Sequence, residues 1–267
     1  MSSKEEASSM RLNRFLARCG LGSRRHVEEL ILKGRVSVNN SICRELATLV
    51  NPSKDIVTVD GKFLRLPALV YYKFYKPRGI VCSMSDPHAN ETLATILKRE
   101  NIPQGVVPAG RLDKESEGLL ILTNDGELLH KLMHPSYGFK KVYRVLLDRR
   151  PSEKLLSLLR KGVVVEGYRM KPVKITRMGP QPKDEENPEG YWLEVVLIEG
   201  RKREIRYMMR EAGFKVLRLV RIAHGPVNVG TLKPGEIRVL EEGELTSLLS
   251  QVRNTNEKRP VKGGAAR

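Results

Sequence analysis

Gly110-Arg111-Leu112-Asp113 places a guanidinium and a carboxylate on either side of one leucine. The four residues lie in Val107-Pro-Ala-Gly-Arg-Leu-Asp-Lys-Glu-Ser-Glu-Gly-Leu-Leu-Ile-Leu-Thr123, where a turn-like segment gives way to an apolar run, Leu119 to Leu122, that reads as a buried strand. A carboxylate at the mouth of a sheet with a cation beside it is what a cofactor-free nucleophilic site needs. Taken alone, a loop ion pair is the simpler description.

Two further stretches could serve such a site. In Lys141-Val-Tyr143 the tyrosine sits mid-strand, where it packs across the sheet or, at a cleft floor, stacks on an extruded base. In Glu199-Gly-Arg-Lys-Arg-Glu-Ile-Arg206 a glycine turns the chain into a basic helix that carries Ile205, Met208 and Met209 at burial spacing. Arg203 and Arg206 are neighbours on that helix at i, i+3. Either the helix is a solvated basic face or Arg206 enters a cleft to meet a carboxylate. Metal chemistry is not supported. His130 and His134 have the i, i+4 spacing of zinc proteases, but Lys131 stands where the glutamate beside the first histidine belongs. The cysteines Cys19, Cys43 and Cys82 form no Cys-x-x-Cys pair. No Walker-type phosphate loop or dinucleotide-binding glycine pattern is present.

The elements that must position these residues can be read from periodicity and punctuation. Leu12, Phe15 and Leu16 stripe a first helix that Gly20 can end, and Ser23 caps a second, with Val27, Leu30 and Ile31, that ends at Gly34. Strands follow at Val36–Val38 and Ile56–Val59, and residues 64–69 read as a linker. Beyond it, strands are predicted at 70–75, 119–122, 141–147, 163–165, 173–178, 191–198, 216–222 and 237–240. Helices are predicted at 92–97, from Asn124 to before Pro135, and at 152–161, 203–212 and 244–249. Asn124 is expected to cap the second of these, with Glu127 reaching back. Pro180 to Gly190 reads as an acidic loop. The order is that of an α+β protein: a small N-terminal domain, then a mainly antiparallel mixed-sheet domain. The expected organisation is a disordered leader over 1–9, the small domain and linker over 10–69, the larger domain over 70–250, and a basic disordered tail over 251–267.

The formal charge of +17 on 267 residues favours a polyanionic partner. A membrane would require a basic amphipathic helix with bulky apolar residues opposite, or a lipidation signal, and neither is found. No apolar run approaches the eighteen or so residues of a membrane span. The start lacks an apolar signal core and the cysteines are few and odd in number, so a reducing cytoplasm is expected. Nucleic acid is therefore the expected partner, bound in a salt-sensitive way.

Residues 11–62 resemble the S-four-type RNA-binding domain through Arg11-Leu-Asn-Arg-Phe-Leu-Ala-Arg18, Gly22-Ser-Arg-Arg25 and Lys33-Gly-Arg-Val-Ser-Val-Asn39. That likeness implies Arg24, Arg25, Lys33 and Arg35 as RNA contacts. From about residue 11 to 249 the chain is similar to the RsuA-type branch of the bacterial RNA pseudouridine synthases, most of all to the RluB group that acts on large-subunit ribosomal RNA. The likeness rests on Gly110–Asp113, Lys141–Tyr143 and Glu199–Arg206 in this order, with Tyr75-Lys-Pro-Arg-Gly79, Ser85-Asp-Pro-His88 and Met133-His-Pro-Ser136. Tyr207 departs from the branch, where a second arginine is expected.

The resemblance implies isomerisation of a uridine to pseudouridine, without metal, organic cofactor or energy source. It puts the nucleophile on Asp113, attacking either ribose or base, and its basic partner on Arg206. Tyr143 would stack on the flipped base and Ile205 would pack against it. Arg111 would hold the RNA backbone or fill the space the nucleotide leaves, and Arg203 would contact RNA. A monomer acting on ribosomal RNA follows from this reading. The competing reading is a non-catalytic RNA-binding assembly factor with a vestigial pocket.

Overall fold

The computed structural model describes residues 9–84, 91–184 and 187–257. Ser85–His88, residues 1–8 of the expected leader and residues 258–267 of the expected tail lie outside the described residues. Two compact units are present. The first takes residues up to Val70 together with Arg99–Val107 and Thr123–Gly126, and the second takes the rest.

In the first unit β1 (Met10–Arg11) leads into α1 (Leu12–Arg18) and α2 (Arg24–Leu32). The Ser23 side chain accepts from the His26 amide, as a capping serine should, and Gly34 follows α2 in the left-handed region at φ 70°. Then come β2 (Val36–Val38), β3 (Ser41–Cys43), β4 (Leu49–Val50), β5 (Val57–Val59) and β6 (Lys62–Leu64). Strands β3, β2, β5 and β6 form one antiparallel sheet, and β1 pairs with β4. Leu12, Phe15, Leu16, Val27, Leu30 and Ile31 bury together with Val36 and Val57, so the expected helical stripes make one core. Strands of two or three residues at β3, β4 and β6 are too short to show alternation, and periodicity does not predict them. Asn124 does not cap a helix. Its Oδ1 accepts from the Val70 amide and its Nδ2 donates to the Ala68 carbonyl, so its amide is spent on the segment at 68–70. Thr123 Oγ1 accepts from the Asp125 amide instead.

The second unit contains β7 (Tyr71–Lys76), α3 (Leu93–Arg99), β8 (Val107–Pro108), β9 (Glu117–Thr123), α4 (Gly126–Met133), β10 (Lys141–Leu147), α5 (Glu153–Lys161), β11 (Val163–Val165), β12 (Tyr168–Met170), β13 (Lys174–Gln181), β14 (Gly190–Leu197), α6 (Glu204–Glu211), β15 (Val216–His224), β16 (Val227–Asn228), β17 (Ile237–Val239) and α7 (Glu242–Glu257), with the terminal residues Arg99, Val107, Thr123 and Gly126 grouping with the first unit. The central sheet runs β13-β14-β10-β15-β9-β7-β17, with β16 on β15 and β8 on β9. Pairing is antiparallel at β13/β14, β14/β10, β10/β15 and β17/β7, and parallel at β15/β9. All seven residues of β9 are buried, which is why its sequence is continuously apolar from Leu119 to Leu122. Gly118 has φ 104°, and a Cβ there would sit 2.3 Å from the Arg221 carbonyl oxygen, so only glycine lets β9 and β15 approach as they do.

Three features of the second unit differ from the sequence expectations. β13 runs on through Gln181, so the acidic loop begins later than Pro180. Residues 163–165 pair with a second strand, β12, that periodicity does not predict. The expected tail is helical through Glu257, because α7 continues past Leu249 with Leu248 and Val252 buried one turn apart.

Candidate active site

The Asp113 loop is pinned along its length. Entering it, the Ala109 amide donates to the Ile121 carbonyl at 2.7 Å and the Gly110 amide to Pro108 at 3.0 Å. Leu112 is buried and anchors the loop, Arg111 is exposed and Asp113 is half-buried. Leaving it, the Ser116 amide closes a turn onto the Asp113 carbonyl at 3.0 Å. Lys76, fully buried at the end of β7, donates from Nζ to the carbonyls of Ser116 (2.7 Å) and Pro77 (2.9 Å), and the Gly79 amide donates to Lys114. Burial pushes the Lys76 ammonium down to about 8, while Cys82 and the carboxylates of Glu117, Asp113 and Glu115 pull the other way.

Asp113 opens on a cleft of about 820 Å³. Arg111, Tyr143, Ile205 and Arg203 line the same cleft, so five of the residues singled out in the sequence converge there. Tyr143 comes from β10, opposite Val195 of β14 on one side and Arg221 of β15 on the other. Ile205 comes from the first turn of α6. Both side chains are almost wholly buried, so they give the cleft one aromatic and one aliphatic face.

Arg206 is placed differently from the expectation. Its Nη2 donates to the Glu115 carbonyl at 3.2 Å and its Nη1 to the Val216 carbonyl at 3.3 Å, and it makes no direct ion pair with Asp113. The first of these carbonyls lies two residues beyond the carboxylate, and Arg206 Nε has no partner among the described residues. Burial and the neighbouring Arg203 pull the Arg206 guanidinium below its ordinary value, and Glu115 and Asp113 act in the opposite sense, so the Asp113 charge is felt without contact. Arg203, at the N-cap of α6, sits in the left-handed region at φ 54°, unusual for a non-glycine residue, and pairs with Glu115 at 3.1 Å. The Glu204 carboxylate accepts from the Arg201 amide at 2.9 Å and closes the first turn.

Three cationic side chains at the site, Lys76, Lys141 and Arg221, are given no role by the sequence, although Lys76 and Lys141 lie in quoted motifs. Lys141 and Arg221 line the cleft and are buried. Each sits at an inward position of a strand that reads only as apolar packing. Leu219, Arg221 and Ala223 alternate inward along β15, and that parity is the available signal.

The RNA pseudouridylate synthase family matches this chain over residues 70–211, and the S4 domain matches residues 10–57. The chain belongs to the RNA pseudouridylate synthase family. An uncharacterised RNA pseudouridine synthase of Aquifex aeolicus is 40% identical over 244 residues, which are 91% of this chain and 95% of that one. The ribosomal large subunit pseudouridine synthase B of Bacillus subtilis is 35% identical over 238 residues, 89% of this chain and 95% of the relative. A crystal structure of a pseudouridylate synthase superposes with a TM-score of 0.60 at 26% identity, over 90% of this chain and all of the other. The synthase is thus an isomerase acting on RNA.

Within the first unit of the synthase the four expected RNA contacts are not equivalent. Arg24 and Arg25 are exposed at the N-terminus of α2 and form no ion pair among the described residues. Lys33 pairs with Glu29 at 3.7 Å, and Arg35 makes a two-pronged bond to Asp60, with Nε to Oδ1 at 2.9 Å. Those two cations already hold carboxylates, so less of their charge is available to a phosphate. His130 and His134 have ring centroids 5.5 Å apart at a tilt of 31°, with Tyr137 edge-on to His130, and Tyr207 carries the Arg210 guanidinium over its ring at 4.9 Å. No helix among the described residues is long and apolar enough to cross a membrane.

Proposed function

We propose that this synthase converts one uridine of large-subunit ribosomal RNA to pseudouridine, with Asp113 as nucleophile. The observation that carries this reading is the convergence of Asp113, Tyr143 and Ile205 on one cleft whose rim bears Arg111 and Arg203. The glycosidic bond is shielded in folded RNA, so the nucleotide must leave its stack at a cost of a few kcal/mol. Contacts from Arg111, Arg24 and Arg25 to phosphates offset that cost, with Arg203, Lys33 and Arg35, which already hold carboxylates, contributing less. Tyr143 stacks on the extruded base and Ile205 closes the other side. Asp113 attacks at ribose or base, the bond from C1′ to N1 breaks, the base turns, C1′ joins to C5, and the bond to Asp113 breaks to return the carboxylate. The C5 hydrogen leaves as a proton and N1 gains one, so the product is an isomer. Arg206 acts by holding the loop after Asp113 through the Glu115 carbonyl and by the field of its charge, not by a direct bond. The relative from Bacillus subtilis, named for the large subunit, supports that substrate. We place the synthase in the cytoplasm as a monomer.

The test is to map pseudouridines in ribosomal RNA from cells with and without this chain, then add the purified protein to the deficient RNA. One large-subunit position should be lost and then restored. An unchanged map would favour the assembly-factor reading.

A further inference from the structure

Arg221 occupies a position where an apolar side chain would be cheaper. It lies inward on β15 between Leu219 and Ala223, only 1% exposed. Its backbone pairs with Gly118, and the close approach there fixes where its side chain starts. The guanidinium Nε donates to the Leu119 carbonyl at 2.7 Å, and Nη2 has no partner among the described residues. Buried donors left unpaired are rare and costly, more so on a cation. A second buried cation aggravates the cost. Lys141 donates to the Ile198 carbonyl at 2.9 Å. After burial itself, the Arg221 charge is the largest influence pushing the Lys141 ammonium down, to about 8; Glu204 and Glu199 oppose it. The cleft floor therefore carries two buried cations, and one of their donors is short of an acceptor.

That deficit has the right sign for the chemistry above. When the bond from C1′ to N1 breaks, its electron pair leaves with the uracil ring and spreads from N1 onto O2 and O4. If attack begins instead at C6, the ring charge again reaches O4. Both routes put negative charge on O4. Arg221 stands opposite Tyr143, the residue placed against the base, on the floor of the same cleft. We propose that Arg221 is a further catalytic residue, whose unspent N–H donates to the O4 of the extruded uracil and stabilises the charge that develops there. No proton leaves the guanidinium. The ring's electron pair is used again when C5 joins C1′. A donor preorganised in a water-poor site acts on the transition state more than on the bound substrate, so its loss appears in rate and not in affinity. The inference rests on the cleft being the site of uridine isomerisation.

The experiment uses the full chain with Arg221→Lys, Arg221→Met and Asp113→Asn, in single-turnover reactions on substrate RNA carrying uridine or 4-thiouridine at the target, with RNA affinity and Tm measured alongside. Arg221→Met should lose about 100-fold in rate with affinity within about threefold of the parent, and Arg221→Lys should recover about tenfold of that loss. Sulfur accepts hydrogen bonds poorly, so the loss should shrink on the 4-thiouridine RNA, as coupled partners do in a double-mutant cycle. The proposal is overturned if Arg221→Met works within about fivefold of the parent, if Lys and Met are equivalent, or if the loss is the same on oxygen and sulfur substrates. Should Arg221→Met not fold, the oxygen-to-sulfur comparison of Arg221→Lys with the parent decides. Should the sulfur substrate be inert, the comparison of Lys with Met decides. Turnover by Asp113→Asn would strike at the nucleophile and leave the Arg221 comparison standing on its own rates.

Discussion

Lys76 Nζ donates to the Ser116 carbonyl at 2.7 Å across forty residues of sequence, and so ties the end of β7 to the turn that carries Asp113. The same ammonium holds the Pro77 carbonyl, so one buried cation organises both strands entering the cleft. Lys76→Met leaves two carbonyls without their donor, at about 1–3 kcal/mol each. It should lower Tm and, by loosening the turn, reduce turnover about 10- to 100-fold, with RNA affinity unchanged. Normal turnover in a variant with lowered Tm would show that the bond serves stability alone.

Lys141 gives a pH signature. Its ordinary value of 10.5 falls to about 8 in the fold, because burial and Arg221 penalise the cation. Below pH 8 the whole penalty stands. Between about 8 and 10.5 the folded chain has released a proton that the unfolded chain still binds, so stability rises with pH. Relative to Lys141→Met, the unfolding free energy of the parent should therefore climb across that window, by at most about 1.4 kcal/mol per pH unit, and level off above it. A flat or falling difference in urea titrations at pH 7 to 11 would contradict the assignment.

Glu117, four residues past Asp113, is held by Arg218 through two bonds of 2.6 and 3.1 Å, with the Tyr75 hydroxyl at 3.3 Å. The carboxylate is 8% exposed and the guanidinium 22%, so partial solvation tempers the loss of either partner. Glu117→Leu and Arg218→Leu should each cost about 2–4 kcal/mol, and the double variant should cost clearly less than their sum. Additive costs in chemical denaturation would mean that the pair is not coupled.

Arg24 and Arg25 should dominate RNA binding by the first unit. Replacing both by alanine should weaken affinity uniformly across RNA sequences and reduce the slope of log K against log salt by about one for each phosphate that is no longer neutralised. Lys33→Ala should do less, since Glu29 already faces it. Filter binding at several salt concentrations separates these outcomes, and an equal effect of Lys33→Ala would count against the ranking.

Much of this architecture is legible in the sequence because local signals agree with global ones. Ser23 and Gly34 bracket α2 as expected, and Leu119–Leu122 is as buried as its composition suggests. The rest is set by tertiary partners. Asn124 has the chemistry of a helix cap, but two backbone groups at 68 and 70 claim its amide. Arg206 has the right spacing for a carboxylate partner, but two carbonyls hold its guanidinium. Lys76, Lys141 and Arg221 are hidden for the opposite reason. Each occupies an apolar-looking position in a strand, where a charge is rare unless something in the site requires it.

The central claim is that Asp113 is the nucleophile, and Asp113→Asn tests it most directly. The change removes the charge but keeps the shape, and among the described residues Asp113 makes no ion pair whose loss would unfold the loop. The variant should match the parent in Tm and RNA affinity and form no pseudouridine when release of tritium from carbon-5-labelled ribosomal RNA is followed. Tritium release at a rate near that of the parent would contradict the account.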